Sequence, residues 1–415
     1  MPSLSDRLKS LGVVVGTQHL PTNKAPASEQ YSIEQVLAGD FWQTSAGEVF
    51  VVETNYNADF LRGAVKLKAT APLDTIAAYI QAPQITEFDI EQFAFIDTET
   101  TGLGLGTGIY TFMVGIGRFD GPHFRLAQFF LREPGEETAQ LAAIESFLAP
   151  CKTWVSFNGK SFDIPLLNNR YIINDWPVPL QGAPHIDLLH LARRLWKARL
   201  PSRSLGDLEA QILGTTRMQQ DVPGWMIADL YFDYLHTRDA RPLLGVFYHN
   251  EIDVVSLAAL LAYMADMLAD PLNGSIEHGL DLIAIGKLYA DLGLLDTAVQ
   301  IYQCGLERTD LGKEAYWQAL QELSFLHKKR DDFVSACQLW EQAAQAGQLY
   351  AYIELAKVCE HRHKDFSAAR YWTQTAIEIV TAPDYSAYER LQTLPELEHR
   401  LARLNSKQEW SSNTE

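Results

Sequence analysis

Length, composition and charge place this chain among globular proteins of two or three domains. It has 415 residues, 47% of them hydrophobic, and a formal net charge of −18 at pH 7. The apolar content is enough to build real cores. The charge argues against a protein that coats nucleic acid non-specifically, because Lys and Arg neutralise phosphate in such binding. It does not exclude an enzyme that binds its substrate through metal ions.

Neither a membrane span nor a signal peptide is predicted. The chain has no run of about 18 apolar residues, and its N-terminus lacks an apolar core. The cysteines show neither C-x-x-C spacing nor the histidine pattern of a zinc site: Cys151, Cys304, Cys337 and Cys359. We therefore expect free thiols in a reducing cytoplasm and no membrane partner.

Residues 1–83 are predicted to be an accessory N-terminal region. Two short runs, which begin at Glu48 and Leu61, have the composition of β-strands. This region would form a small unit or an arm packed on the domain that follows.

Residues 84–269 show the pattern of an α/β domain. The predicted elements are strands at 93–97, 109–119 and 123–131, a helix at 136–148 and a strand at 153–157. A glycine-rich turn joins the first two strands. Three strands followed by alternating helix and strand predict a mixed sheet covered by helices.

The first predicted strand ends on two carboxylates, Asp97 and Glu99, before the chain breaks at Gly102. Alternate side chains of a strand share a face, so both carboxylates would point to one side. Like charges at this distance repel unless a cation lies between them or one is protonated. An acidic strand end facing solvent is the alternative interpretation of this triplet alone.

Two later segments carry further carboxylates. Asn158 and Asp163 lie where a buried strand turns into a helix, with Asp163 near the helix start. His249 and Asp253 lie four residues apart in a helical segment and would share a face.

These three segments, D-x-E, N-x-x-x-F-D and an aromatic or imidazole ring before an aspartate, resemble the motifs of the DEDD 3′–5′ exonucleases. The middle motif is most similar to that of the proofreading exonuclease of family B DNA polymerases. The resemblance covers roughly residues 93–268 and implies an RNase H-like fold. Together with the helical tail described below, it is similar to a bacterial group of RNase H-like proteins.

The resemblance implies hydrolysis of DNA or RNA from the 3′ end with release of nucleoside 5′-monophosphates. Four carboxylates would supply the hard oxygen ligands that Mg²⁺ or Mn²⁺ prefers, and two ions would bind. In the implied mechanism Asp97 bridges both ions, Glu99 and Asp253 complete one shell or orient the water, and Asp163 holds the second ion.

The third motif is mixed, since both Tyr248 and His249 precede Asp253. We favour His249 as the general base, because one helical turn places it over Asp253 and rotates Tyr248 away.

Substrate contacts are predicted on two segments. Asn158, Lys160 and Phe162 would touch the terminal nucleotide, although Phe162 could instead be a core residue. A basic cluster would contact phosphates, with a solvated helix face as the alternative: Arg193, Arg194, Lys197, Arg199 and Arg203. Asp187, at the end of a short strand, is expected to cap the next helix rather than bind metal.

A polar break at 270–274 predicts the start of a second domain, at 270–405. A segment that begins at Leu282 resembles the tetratricopeptide signature, and two Asp-Phe-x-x-Ala segments, at Asp332 and Asp365, recur 33 residues apart. About three helix pairs would fit, with a disordered tail at 406–415. An ordinary helical bundle is the alternative.

Three function classes remain open at this level. The first is a two-metal 3′–5′ exonuclease whose repeats engage a protein partner or the substrate. The second is an RNase H-type endonuclease, and the third is a repeat-based adaptor with a silent nuclease domain. The four carboxylates and the candidate base favour an enzyme.

Overall fold

The first part of the chain is built around one mixed β-sheet. The computed structural model describes residues 31–412 except Leu103 and Leu105, so residues 1–30 of the predicted accessory region lie outside it. The strands are β1 Asp40–Thr44, β2 Gly47–Asn57, β3 Leu61–Arg62, β4 Val65–Lys66, β5 Phe93–Thr100, β6 Thr111–Asp120, β7 His123–Phe130, β8 Thr153–Ser156 and β9 His185–Asp187.

Within the described residues, seven strands pair in the order β1-β2-β7-β6-β5-β8-β9. The pairs β1–β2, β2–β7, β7–β6 and β6–β5 are antiparallel, whereas the pairs β5–β8 and β8–β9 are parallel. The predicted mixed sheet is therefore confirmed. Strands β1 and β2 extend this sheet from the N-terminal side of residue 84, so the sheet crosses the predicted boundary of the accessory region. The pair β3–β4 forms a separate hairpin.

Helices cover both faces of the sheet and continue as a helical second part. Their bounds are α1 Ile33–Val36, α2 Asp74–Tyr79, α3 Glu137–Leu148, α4 Asp163–Ile173, α5 Leu188–Trp196, α6 Leu205–Leu208, α7 Gly224–Thr237, α8 Leu243–Ala269, α9 Gly279–Asp291, α10 Leu295–Leu306, α11 Lys313–Lys329, α12 Phe333–Gln345, α13 Leu349–Val358, α14 Phe366–Thr381 and α15 Ala387–Ser412. Single-turn π-helices follow α6 at Glu209–Leu213 and α13 at Cys359–His363.

The central strand β5 is buried on both faces, which explains its continuous apolar run. Phe93 and Phe95 pack in the core that contains α8, while Ala94 and Ile96 pack in the core that contains α3 and α4. Odd-numbered positions of β5 therefore face α8. This alternation sends the side chain of Asp97 to the face that α8 covers.

Helix α8 is long and apolar enough to cross a membrane by length and composition, but 72% of its apolar window is buried inside the protein. It packs on β5, β6 and β7. Its apolar character is that of a helix at the centre of a folded core.

The second part consists of helix pairs that pack in sequence, α9 on α10, α11 on α12 and α13 on α14, with α15 against α14. The disordered tail predicted at 406–415 is wrong for residues 406–412, which belong to α15. Ser406 Oγ donates a hydrogen bond to Ala402 O at 3.2 Å, and Lys407 Nζ donates to Glu360 Oε1 at 3.0 Å. Residues 413–415 lie outside the described residues.

Candidate functional site

Asp97 is held at the end of β5 by a residue of α8. Asn250 Nδ2 donates to Asp97 Oδ2 at 3.0 Å and to its backbone oxygen at 3.2 Å. Gln128 Nε2 donates to Asn250 Oδ1 at 3.0 Å and thereby orients the amide. The neighbouring strand must carry glycine here, because a Cβ on Gly115 would lie 2.1 Å from Asn250 Oδ1.

Asp163 is the first residue of α4 and follows a tight loop after β8. Thr98 Oγ1 donates to Asp163 Oδ1 at 2.5 Å. The loop is shaped by Asn158, whose φ of 65° lies in the left-handed region that asparagine tolerates. Asp163 therefore joins the end of β5 through the residue between Asp97 and Glu99.

Asp187 fixes the loop before Asp163. Its carboxylate accepts hydrogen bonds from Asn158 N at 2.8 Å, Lys160 N at 3.2 Å and Leu189 N at 3.1 Å. The last contact caps α5, as the sequence predicted. The other two contacts give Asp187 a second role, in positioning the loop that leads to Asp163.

His249 and Asp253 lie one turn apart on α8, with His249 Nε2 3.6 Å from Asp253 Oδ2. Tyr248 is buried, and its hydroxyl accepts a hydrogen bond from Met218 N at 2.9 Å. Of the two rings, His249 is therefore the one beside the carboxylate.

Asp97, Glu99, Asp163 and Asp253 form what we call the carboxylate site, and the pKa of each is raised. For Asp97, burial is the main cause, followed by repulsion from Asp253, Glu99 and Asp163. Burial and the charges of Asp253 and Asp163 raise the pKa of Glu99 to about 8, against an opposing effect of Arg217. The pKa values of Asp163 and Asp253 are raised chiefly by burial. Such a cluster is stabilised by protons or by a cation.

The donor set of the carboxylate site fits a hard divalent cation. Among the described residues, no three His, Cys, Asp or Glu side chains stand in the arrangement of a complete metal site, and Arg217 Nη2 donates to Asp253 Oδ1. The four carboxylates are nevertheless oxygen donors, and burial together with their mutual repulsion raises the pKa of Asp97 and Glu99. Mg²⁺ and Mn²⁺ prefer such ligands, and a bound cation would relieve the repulsion.

The residues predicted to touch the terminal nucleotide lie beside the site on the loop before α4. Phe162 is 50% exposed, so the alternative of a core residue is wrong. Lys160 is also exposed, and the side chain of Asn158 is partly exposed. These three side chains are available to a ligand that approaches Asp163.

The predicted basic cluster is divided by the fold. Arg199 Nε donates to the buried Asp281 at 2.7 Å and joins the segment after α5 to α9. Arg203 Nη1 donates to Leu200 O at 2.8 Å, and Arg194 pairs with Asp291. In the part of the chain that the structure describes, none of the five is bonded to the carboxylate site. The prediction that this cluster contacts phosphates therefore narrows to its other two members, because these three already have protein partners.

Two members of that cluster remain exposed. Arg193 and Lys197 have no ion pair among the described residues and line a groove of about 710 Å³ between α5, α9 and α11. Lys287 of α9 also lines this groove and donates to Glu322 Oε1 at 3.1 Å.

Sequence reasoning missed several residues around the carboxylate site. Asn250 and Thr98 contact Asp97 and Asp163, and Arg217 and Asp221, from an irregular loop, contact Asp253 and His249. Asn250 carried a signal, since it lies within the third motif. The loop residues carried none, because no periodicity or spacing connects them to α8.

Comparison with known families and proteins supports the architecture of the first part. The model of the RNase_H superfamily matches residues 94–265, a range that contains the whole carboxylate site and His249. The uncharacterized protein YprB of Bacillus subtilis (strain 168) is 33% identical over 320 residues, which cover 75% of this chain and 74% of that protein. The similarity therefore extends beyond the sheet into the helical part.

Proposed function

Because this chain belongs to the RNase H superfamily, we propose that it is a two-metal-ion 3′–5′ exonuclease. It hydrolyses phosphodiester bonds of DNA or RNA and releases nucleoside 5′-monophosphates. The superfamily domain is of the nuclease type, so nucleic acid is the substrate class, and such nucleases generally use divalent metal ions such as Mg²⁺.

One observation carries the proposal. Carboxylates from β5, α4 and α8 lie close together, and burial together with the charges of Asp253 and Asp163 raises the pKa of Glu99 to about 8. An imidazole lies 3.6 Å from Asp253. A structural acid cluster would carry matching cations, whereas Arg217 is the one Lys or Arg among the described residues that pairs with the carboxylate site, through Asp253. This surplus of negative charge supports a site for divalent cations.

Asp97, Glu99, Asp163 and Asp253 would hold Mg²⁺ or Mn²⁺. When bound, two such ions supply Lewis-acid stabilisation of the oxygens of the reacting phosphate. Asn250 keeps Asp97 oriented, and Thr98 does the same for Asp163. His249 directs Nε2 towards the carboxylate site, where it accepts the proton of the attacking water as general base.

In this proposal the ring of Phe162, which is exposed, stacks on a terminal base, and the exposed Lys160 contacts its phosphate. We place the continuing strand in the groove lined by Arg193, Lys197 and Lys287, which gives the helical, tetratricopeptide-like part a role in substrate or partner engagement. Charge reversal at Arg193 and Lys197 should reduce the slope of log affinity against log salt, because fewer counterions are released. An unchanged slope would make both residues part of a solvated face.

The test is product analysis on a single-stranded oligonucleotide labelled at its 5′ end, with Mg²⁺ or Mn²⁺. We expect stepwise shortening from the 3′ end, release of mononucleotides, and no reaction when the 3′ end is blocked. Asp229→Asn, at an exposed residue of α7 without a hydrogen bond or ion pair among the described residues, is the matched control for variants of the carboxylate site.

Other outcomes identify the alternatives. Internal fragments from both blocked and unblocked strands would indicate an RNase H-type endonuclease. A protein that binds no metal and cleaves no strand would instead be a repeat-based adaptor with a silent nuclease domain.

A further inference from the structure

The loop between the π-helix Glu209–Leu213 and α7 lies against α8. It begins at Gly214, whose φ of +69° favours glycine. Met218 N donates to the Tyr248 hydroxyl at 2.9 Å. A Cβ on Gly245 would lie 2.5 Å from Val222 Cγ1 and 2.8 Å from Gln220 O, so this glycine permits the close approach. The loop is thus held on the helix that carries His249 and Asp253.

Asp221 of this loop contacts the imidazole of His249. Asp221 Oδ1 lies 2.8 Å from His249 Nδ1. A carboxylate only accepts, so the hydrogen of a neutral imidazole lies on Nδ1 and the lone pair on Nε2. Arg217 Nη1 lies 3.4 Å from the same Nδ1, but the shorter contact to Asp221 decides the assignment. Nε2 faces the carboxylate site, 3.6 Å from Asp253 Oδ2.

Arg217 connects the two acids that flank His249. Its guanidinium donates to Asp253 Oδ1, and Nη1 lies 3.5 Å from Asp221 Oδ2. Glu209, whose side chain is 1% exposed, accepts from Arg217 Nε at 2.8 Å and from Nη2 at 2.9 Å. Glu209 is itself held by Arg62 at 3.3 Å and by the Ser256 hydroxyl at 2.7 Å. Arg217 is therefore fixed by Glu209, a buried carboxylate that is itself held in place.

We propose that Asp221 is a positioning residue for catalysis, which holds His249 in the tautomer with hydrogen on Nδ1 and a free lone pair on Nε2. Arg217 keeps Asp221 and Asp253 on opposite edges of the ring. The inference rests on the proposed function in assigning proton transfer to His249. A base that is oriented by a third group is a recurring arrangement in catalytic sites.

The first test measures the tautomer directly. Nitrogen NMR of protein labelled in its histidine rings, recorded at alkaline pH with and without Mg²⁺, should show hydrogen on Nδ1 of His249. The signal is assigned by its loss in His249→Asn. In Asp221→Ala the ring should shift to hydrogen on Nε2, the form that free neutral histidine favours. Asp229→Asn should leave the tautomer unchanged.

The second test separates kcat from KM on a 3′-end substrate. At metal sites, loss of a group that orients a neighbouring side chain typically costs about 10- to 100-fold in metal affinity or activity. We expect Asp221→Ala to lose that factor in kcat with KM within about twofold, and Asp229→Asn to match the wild type. A loop that only stabilises the fold would lower the melting temperature and leave both the tautomer and kcat of the folded protein unchanged.

The NMR result decides the inference independently of turnover. Hydrogen on Nε2 of His249 in the wild type, or the same tautomer in wild type and Asp221→Ala, would overturn it even if the protein degrades the strand as proposed. A wild type that cleaves no strand but shows hydrogen on Nδ1, with this form lost in Asp221→Ala, would contradict the proposed nuclease activity. It would still support the orientation of His249 by Asp221.

Discussion

Two clusters of charged side chains in this molecule shift the pKa values of their carboxylates in opposite directions. The carboxylate site brings four acids together, and their pKa values are raised by burial and, for Asp97 and Glu99, by mutual repulsion. The second cluster, which we call the Glu360 cluster, surrounds one acid whose side chain is 0% exposed. Glu360 accepts from Arg400 at 2.8 Å, Arg403 at 2.7 Å and Lys407 at 3.0 Å.

The pKa of Glu360 is lowered, because hydrogen bonds from Lys407 and Arg403 outweigh the effect of burial. Its charge is compensated within the protein, and the contacts join α15 to the helix pair before it. The acids of the carboxylate site exceed the cations that reach them. Burial of charge therefore indicates function here only where the protein does not supply the counter-charge.

The largest expected effect is that of neutralising Asp97. Asp97→Asn should reduce metal-dependent hydrolysis about 10³-fold or more, since bound metal supplies several kcal/mol of transition-state stabilisation. The rate on an end-labelled strand measures this, with Asp229→Asn as the control. Wild-type turnover by Asp97→Asn, or unchanged turnover by the wild type in excess chelator, would contradict a catalytic role for the carboxylate site. The two clusters would then not differ in function.

The next effect distinguishes the two rings of the third motif. His249→Asn should lose about 10²- to 10⁴-fold in rate at saturating metal, the usual contribution of general-base catalysis. Tyr248→Phe should stay near the wild type, because the hydrogen bond of the Tyr248 hydroxyl within the described part of the chain is to the loop backbone at Met218 N. The reverse pattern in single-turnover rates would move the base to Tyr248.

The Glu360 cluster should respond in stability and not in activity. Glu360→Gln leaves three cations without their carboxylate, and hydrogen bonds to charged groups contribute roughly 1.5–3 kcal/mol. We expect a lower free energy of unfolding by about that amount, measured in denaturant, with kcat unchanged. A loss of kcat in the folded variant would mean that this cluster also serves the active site.

The smallest effect is the pH dependence of stability in chelator. The pKa of Glu99 rises from 4.5 to about 8 on folding, so the folded state holds a proton that the unfolded state has lost within that window. Because the folded state binds this extra proton, the free energy of unfolding decreases as pH rises from 4.5 towards 8. We expect the melting temperature to fall by a few degrees, of the order that ~1 kcal/mol produces.

Two comparisons check this pH effect. The fall should be reduced in Glu99→Gln, and Mg²⁺ should raise the melting temperature more at pH 8 than at pH 6, because it competes with protons for the carboxylates. A melting temperature that rises over this interval in chelator would contradict the raised pKa.

Local patterns were sufficient to predict the parts of the site that lie on regular elements. The alternation along β5 predicted the shared face of Asp97 and Glu99, and helical spacing predicted the pairing of His249 with Asp253. The pairing of β2 with β7 could not be read, since it joins residues such as Thr54 and Leu126 without a short turn. Long-range pairing depends on tertiary contacts that no local window contains.

The same limit applies to individual cations. Arg199 looked equivalent to Arg193 in the sequence, yet its partner Asp281 lies 82 positions away in another part of the fold. Arg217 and Asp221 lie in a loop, where the backbone has no fixed period that would place a side chain on a given face.

The most direct test of the central claim is calorimetric titration of the protein with Mn²⁺. The proposed function predicts binding of two ions by the wild type, with protons released because Glu99 and its neighbours must be deprotonated. Asp97→Asn should lose most of this binding while Glu360→Gln retains it. A wild type that binds no Mn²⁺, or an Asp97→Asn variant that binds as the wild type does, would contradict the account.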